Sequence, residues 1–125
     1  MTDIKSTVES YIAAWNETDA DARLLAVKQL WADDGGYTDP LAAVRGHDGV
    51  AAVIEGAQKL FPGHVFRLLG APEAHHDLVR FRWELVPAGG GESAESVVIG
   101  ADTAVLTEDG KLRDVYGFLD KAPAM

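Results

Sequence analysis

The stretch VVIGADTAVL, residues 97–106, decides how this sequence reads. Apart from one aspartate it holds only apolar residues, glycine and threonine. It reads as a strand that is apolar on both faces and therefore covered on both sides. Val98, Gly100, Ala104 and Leu106 share a face with Asp102; Val97, Ile99, Ala101, Thr103 and Val105 form the other. A carboxylate taken out of water costs several kcal/mol unless it is paired, hydrogen-bonded or neutral. Asp102 is therefore either a satisfied structural acid, bonded to a Tyr, Trp or Arg, or a group lining a wet cavity. Gly100 beside it leaves space above the sheet, which suits a pocket.

The neighbouring segments share the period of two. HVFRLLG (64–70) is one strand and LVRFRWELV (78–86) the next. In the latter, Val79, Phe81, Trp83 and Leu85 alternate with Arg80, Arg82 and Glu84. The arginines are expected to pair with Glu84 or with a partner subunit. PAGGGESAE is a flexible loop, and Asp109-Gly110 signals a two-residue hairpin. In KLRDVYGFLD, Leu112 and Val115 differ in parity, so a bulge is expected near Arg113 or Asp114.

Before residue 64 the period is helical. Ile4, Val8, Tyr11, Ile12 and Trp15 make one face of a first helix capped by Thr2 or Asp3. Thr18 is the expected cap of a second, with Leu24, Val27 and Trp31 on its buried stripe and Leu30 beside them. ADDGG ends it, and a short strand, Gly36 to Asp39, stops at Pro40. A third helix buries Val50, Val53, Ile54, Ala57, Leu60 and Phe61 and ends at Pro62-Gly63. Helices first and an antiparallel meander after them mean α+β, with a curved sheet wrapping the helices around a cavity. No repeat or second domain is visible, so residues 1–125 read as one domain.

Composition narrows the function. The 125 residues are 47% hydrophobic, enough for a packed core, and contain no cysteine. A net charge of −9, from 11 basic and 20 acidic side chains, argues against nucleic acid and anionic membranes as partners. No apolar run approaches a membrane span, and MTDIKSTVES has no signal core. A soluble cytoplasmic protein is expected. His75 and His76 point to opposite faces, and no histidine has the spacing of a familiar ligand set, so no metal is expected.

Two further polar residues invite attention. Asp39 ends a strand just before a proline, at a sheet margin; it is a candidate base or simply the start of a turn. Tyr11 lies on the buried stripe of the first helix, where a phenol either packs as core or serves a site. Trp15, Trp83 and Phe118 are expected to line the pocket, since each falls on a face that should turn inward.

The segments YIAAWNETDADARL, LWADDGGYTDP, VRGHDGVAAVI and GADTAVLTEDGKLRDVYGFLD together resemble the nuclear transport factor 2-like superfamily, in particular its bacterial SnoaL-like proteins. The resemblance covers nearly the whole chain and rests on the order and spacing of the segments. It implies a cone-shaped fold, with three helices on a strongly curved, mainly antiparallel sheet that encloses an apolar pocket, commonly as a homodimer. The chain is also similar to the ketosteroid isomerases, although its second helix reads longer than theirs. That similarity assigns Tyr11 and a protonated Asp102 to an enolate oxygen, and Asp39, before its proline, to the base. Asp102 lies eight residues before Gly110, a spacing compatible with that role.

Proton abstraction next to a carbonyl would follow, with no cofactor, on a small apolar compound, as isomerase or cyclase chemistry. The alternative is a non-catalytic module of the same fold that binds an apolar ligand or dimerises. Two carboxylates in an otherwise apolar pocket separate the readings, because a carrier has little use for them.

Overall fold

The first helix begins where the sequence offers an acceptor. In the computed structural model, which describes residues 3–123, α1 spans Ile4–Asn16 and the Asp3 carboxylate accepts from the Ser6 N–H at 3.4 Å. Thr2, the other expected cap, lies outside the described residues. Val8, Tyr11, Ala14 and Trp15 form the buried face of α1. Helix α2 (Ala20–Leu30) is capped by Asp19 rather than Thr18: the Asp19 carboxylate accepts from the Ala22 N–H at 2.9 Å. The Thr18 carbonyl accepts instead from the buried Arg23 guanidinium.

Trp31 does not continue α2. It opens β1 (Trp31–Thr38), which is longer than the expected Gly36–Asp39. The register of β1 against β6 (Leu112–Lys121) jumps from Trp31↔Leu112 to Gly36↔Asp114, so residues 32–35 carry extra length. Asp33 and Asp34 sit exposed on that irregularity, which gives a strand the look of a break. A turn at Asp39–Ala42 leads to β2 (Ala43–Arg45), a strand hidden in the expected connector, and then to α3 (His47–Leu60).

Strands β3 (His64–His75), β4 (Leu78–Pro87), β5 (Val98–Leu106) and β6 follow as an antiparallel meander. The six strands make one sheet in the order β2-β1-β6-β5-β4-β3, in which β1 and β6 run parallel. The architecture is α+β, three helices in the first half and a mixed, mainly antiparallel sheet. Among the described residues no helix is long and apolar enough to cross a membrane.

Parity along β5 and β6 positions the site. On β5, Val98, Gly100, Asp102, Ala104 and Leu106 are buried, and the alternate residues are only half-buried. On β6 the pairing passes from Val105↔Asp114 to Leu106↔Leu112, so Arg113 is the extra residue of the expected bulge. Leu112 and Val115 can then both be buried. Beyond the bulge Val115 and Gly117 face inward, while Tyr116 and Phe118 face out. The β5–β6 loop is longer than two residues. The Thr107 N–H donates to the Lys111 carbonyl at 2.8 Å, leaving three residues between, with Gly110 at φ 83°.

Glu84, expected to pair with Arg80 or Arg82 on its own strand face, is buried and does not. It pairs with Arg67 at 2.7 Å and accepts from the Ser96 hydroxyl. Arg80 pairs instead with Glu73 at 2.6 Å, and Arg82 with Asp120 at 3.4 Å.

Candidate functional site

Helix α1 places Tyr11 and Trp15 one turn apart on its buried face, above the sheet. Three rings hold Tyr11: Phe81 at 5.0 Å edge-on, Trp31 at 5.5 Å and Trp15 at 6.1 Å between centroids. Its hydroxyl donates to Asp102 Oδ2 at 2.6 Å, in a buried bond that joins residues 91 apart in sequence. Trp83 on β4 sits opposite Gly100 on β5, and a Cβ at Gly100 would run into its indole. The room expected above Gly100 is therefore the seat of the Trp83 ring. The partner of Asp102 on β6 is Gly117. A Cβ there would lie 2.8 Å from Asp102 Oδ1 and 3.4 Å from both Asp39 Cβ and Tyr37 Oη. Gly117 thus keeps clear the point where both carboxylates and a phenol meet.

Asp39 is held firmly. Its Oδ1 accepts from the backbone N–H groups of Leu41 at 2.8 Å and Ala42 at 2.9 Å. Its Oδ2 accepts from the Tyr37 hydroxyl at 2.8 Å. The turn reading of Asp39 is realised, and the same carboxylate also borders the cavity.

That cavity has a volume of about 270 Å³. Tyr11, Trp15, Tyr37, Asp39, Trp83 and Asp102 line it; Ile12, Val53, Leu85 and Val98 supply apolar wall, and Leu41 and Leu60 stand exposed at its border. Burial pushes the Asp102 carboxyl up to about 6, and the negative charge of Asp39 adds to that rise. The hydrogen bond from Tyr11, and then the nearby Trp83 indole, oppose it by favouring the charged form. Burial, then the charge of Asp102, raises Tyr11 well above an ordinary phenol. Tyr37 is raised by burial first, then by the charges of Asp102 and Asp39. Both phenols therefore stay protonated, able to donate. An apolar ligand that displaces water from this cavity would lift Asp102 further, by the same desolvation.

Of the residues expected at the site, Tyr11 and Asp102 are bonded to each other, and Asp39, Trp15 and Trp83 border the same cavity. Phe118 does not. It is 67% exposed on the opposite face, because the Arg113 bulge gives the inward position to Gly117. None of the four histidines lines the cavity; His47, for one, meets the Trp31 carbonyl at 3.0 Å. Among the described residues no group of three or more His, Asp or Glu could hold a metal ion.

Sequence reasoning missed Tyr37 and Gly117. Tyr37 was within reach: it lies two residues before Asp39 on a strand, hence on the same face. The inward side of Gly117 followed from Val115 by parity, but its pairing with Asp102 needed the β5–β6 register.

The pattern of the SnoaL-like domain matches residues 8–115. A solved structure of a proposed isomerase of the SnoaL-like family from Agrobacterium tumefaciens is 39% identical, with a TM-score of 0.86 over 96% of this chain and 99% of that one. A proposed SnoaL-like polyketide cyclase from Jannaschia is 18% identical, with a TM-score of 0.70 over 96% of this chain and 90% of that one. A Catenulispora acidiphila protein described as having a ketosteroid isomerase-like fold is also 18% identical, at a TM-score of 0.69 over 89% and 82% of the two chains. The last two likenesses concern the fold alone. No curated protein matches the chain.

Proposed function

The chain belongs to the SnoaL-like family, and on that premise we propose that it is a cofactor-independent isomerase or cyclase acting by proton abstraction next to a carbonyl. The observation that carries this reading is the buried 2.6 Å bond from Tyr11 to Asp102 at a cavity that Asp39 also borders. Asp39 takes the proton from carbon as general base. Asp102, neutral once a ligand excludes water, donates through Oδ1, the oxygen with no protein partner, to the developing enolate oxygen. Tyr11 holds Oδ2 and fixes the carboxyl in place. Return of the proton from Asp39 to a different carbon completes an isomerisation. Attack of the enolate carbon on a second carbonyl of the same molecule opens that C=O π bond and gives a cyclisation, the new alkoxide taking the proton back from Asp39.

One observation favours the non-catalytic alternative. Both Asp39 oxygens already accept hydrogen bonds from the protein, which fixes the carboxylate as the acceptor of its own turn. Exchange of α-protons for deuterium in 1-tetralone, followed by NMR in D₂O, separates the two readings. The enzyme reading expects accelerated exchange that falls about 10²–10⁴-fold in Asp39→Asn, the usual share of a general base. Ketone that binds yet exchanges no faster than in buffer between pH 5 and 9 would leave a binding protein.

A further inference from the structure

Among the described residues, two buried side-chain polar atoms have no partner in the protein: Asp102 Oδ1 and Trp15 Nε1. The first is used above. The second is not, and an indole N–H is a donor only, which costs about 1–3 kcal/mol to bury unmatched.

Trp15 is 6% exposed, and it borders the cavity. The surrounding fold holds it in that position. Gln58 Nε2 donates to its carbonyl at 2.9 Å, and its ring packs on Tyr37 at 5.3 Å and edge-on to Phe66 at 5.4 Å. Trp31 shows the contrasting case, an indole satisfied within the core: its Nε1 donates to the Gly36 carbonyl at 3.2 Å. Trp15 Nε1 lies near enough to the Tyr11 oxygen to favour its phenolate, but it completes no hydrogen bond with it. An unpartnered donor therefore lies beside the Tyr11–Asp102 pair, on a residue that borders the chamber.

We propose that Trp15 Nε1 donates a hydrogen bond to a ligand oxygen seated beside Tyr11, and that the ligand is an apolar compound recognised through that single acceptor oxygen. Away from this end and Asp39, the lining is carbon: Ile12, Val53, Leu85, Val98 and Leu119 among it. A second hydroxyl or carboxyl on the ligand would lose its hydration there without replacement. Monofunctional ketones are thus favoured over polyhydroxylated ones, and isomerisation over a cyclisation that needs a second carbonyl. The inference rests on the carbonyl-site reading above and adds a recognising group to it.

The test uses a matched pair of probes, 2-acetylnaphthalene and 2-isopropenylnaphthalene, which differ by C=O against C=CH₂. Proton–nitrogen correlation spectra of the intact protein resolve its indole N–H groups, assigned with single Trp→Phe variants. The ketone is expected to move the Trp15 N–H downfield relative to the alkene and to leave that of Trp31 in place. Trp15→Phe is expected to weaken the ketone about 3- to 10-fold, the loss of one neutral hydrogen bond, without changing the alkene. A Trp15 signal that responds identically to both probes overturns the proposal, whatever the variant does. Equal binding of ketone and alkene to the unmodified protein would remove the carbonyl reading as well. A ketone preference that Tyr11→Phe erases and Trp15→Phe leaves intact would remove the Trp15 inference alone.

Discussion

At the scale of single residues, the site depends on what is missing at position 117. Asp102 Oδ1 looks onto Gly117, and the first carbon of any side chain there would stand 2.8 Å from it. That is closer than real Cβ contacts allow, so the carboxyl would have to turn away from Tyr11. Gly117→Ala is therefore expected to fold, to lose the short Tyr11–Asp102 bond and to bind a ketone at least about 10-fold more weakly than the unmodified chain. Calorimetric titration with 2-acetylnaphthalene checks this; unchanged affinity would mean that the carboxyl position is unimportant for binding. Tyr11, Asp39 and Asp102 were legible in the sequence because each is a polar residue where the pattern demands an apolar one or a strand end. Phe118 was misplaced although the expected bulge already decided its side: once Leu112 and Val115 both face inward, Gly117 follows inward and Phe118 turns out.

Among elements, the position of α1 against α3 is set by side chains and not by apolar contact alone. Gln58 on α3 donates to the Trp15 carbonyl at 2.9 Å and the Glu17 carbonyl at 2.8 Å, and accepts from Arg23 of α2 at 2.8 Å. It thus satisfies carbonyls that the end of a helix leaves without partners. Asn16 does the same toward β3, donating to the Phe66 carbonyl at 2.8 Å and accepting its N–H at 2.7 Å. Gln58→Leu removes three bonds while keeping similar volume, and it should cost about 1–3 kcal/mol for the groups left unmatched. A urea midpoint unchanged from the parent would show that water replaces the amide without loss. The helices and the meander were legible from their periods, but this clamp was not. A buried arginine and a glutamine on an apolar helix face look like surface residues until the partner helix is in place. β2 escaped for a similar reason, since three residues carry too little pattern and owe their strand to pairing with β1.

For the whole molecule, the buried acid ties stability to pH. Asp102 titrates near 3.8 in an unfolded chain and at about 6 in the folded one. Between those values the folded state holds a proton that the unfolded state has released. Its contribution is full below pH 4 and lost as pH rises through about 6, a change of about 3 kcal/mol. Glu73, Glu84 and Asp109, held below their ordinary values, act in the opposite sense, so the comparison must be with a variant. Asp102→Asn should gain stability on its parent as pH rises from 4 to 8; parallel melting curves across that range would refute the shift. We also propose that the outer sheet face, with Tyr116 43% and Phe118 67% exposed beside half-buried Ile99, Thr103 and Val105, packs on a second copy. Light scattering is expected to give a dimer at micromolar concentration and a monomer for Phe118→Asp; a monomeric parent would refute it. The parallel pairing of β1 with β6 has a kinetic consequence. It brings the turn at Asp39 to the strand that holds Gly117, while Tyr11 reaches Asp102 across 91 positions. During synthesis the first of these residues emerges long before the last, because the lining of the chamber runs from Tyr11 to Ala122. A ligand therefore cannot template early folding. It meets a finished protein and stabilises it only by mass action, in a topology whose distant pairings set a slow pace of assembly.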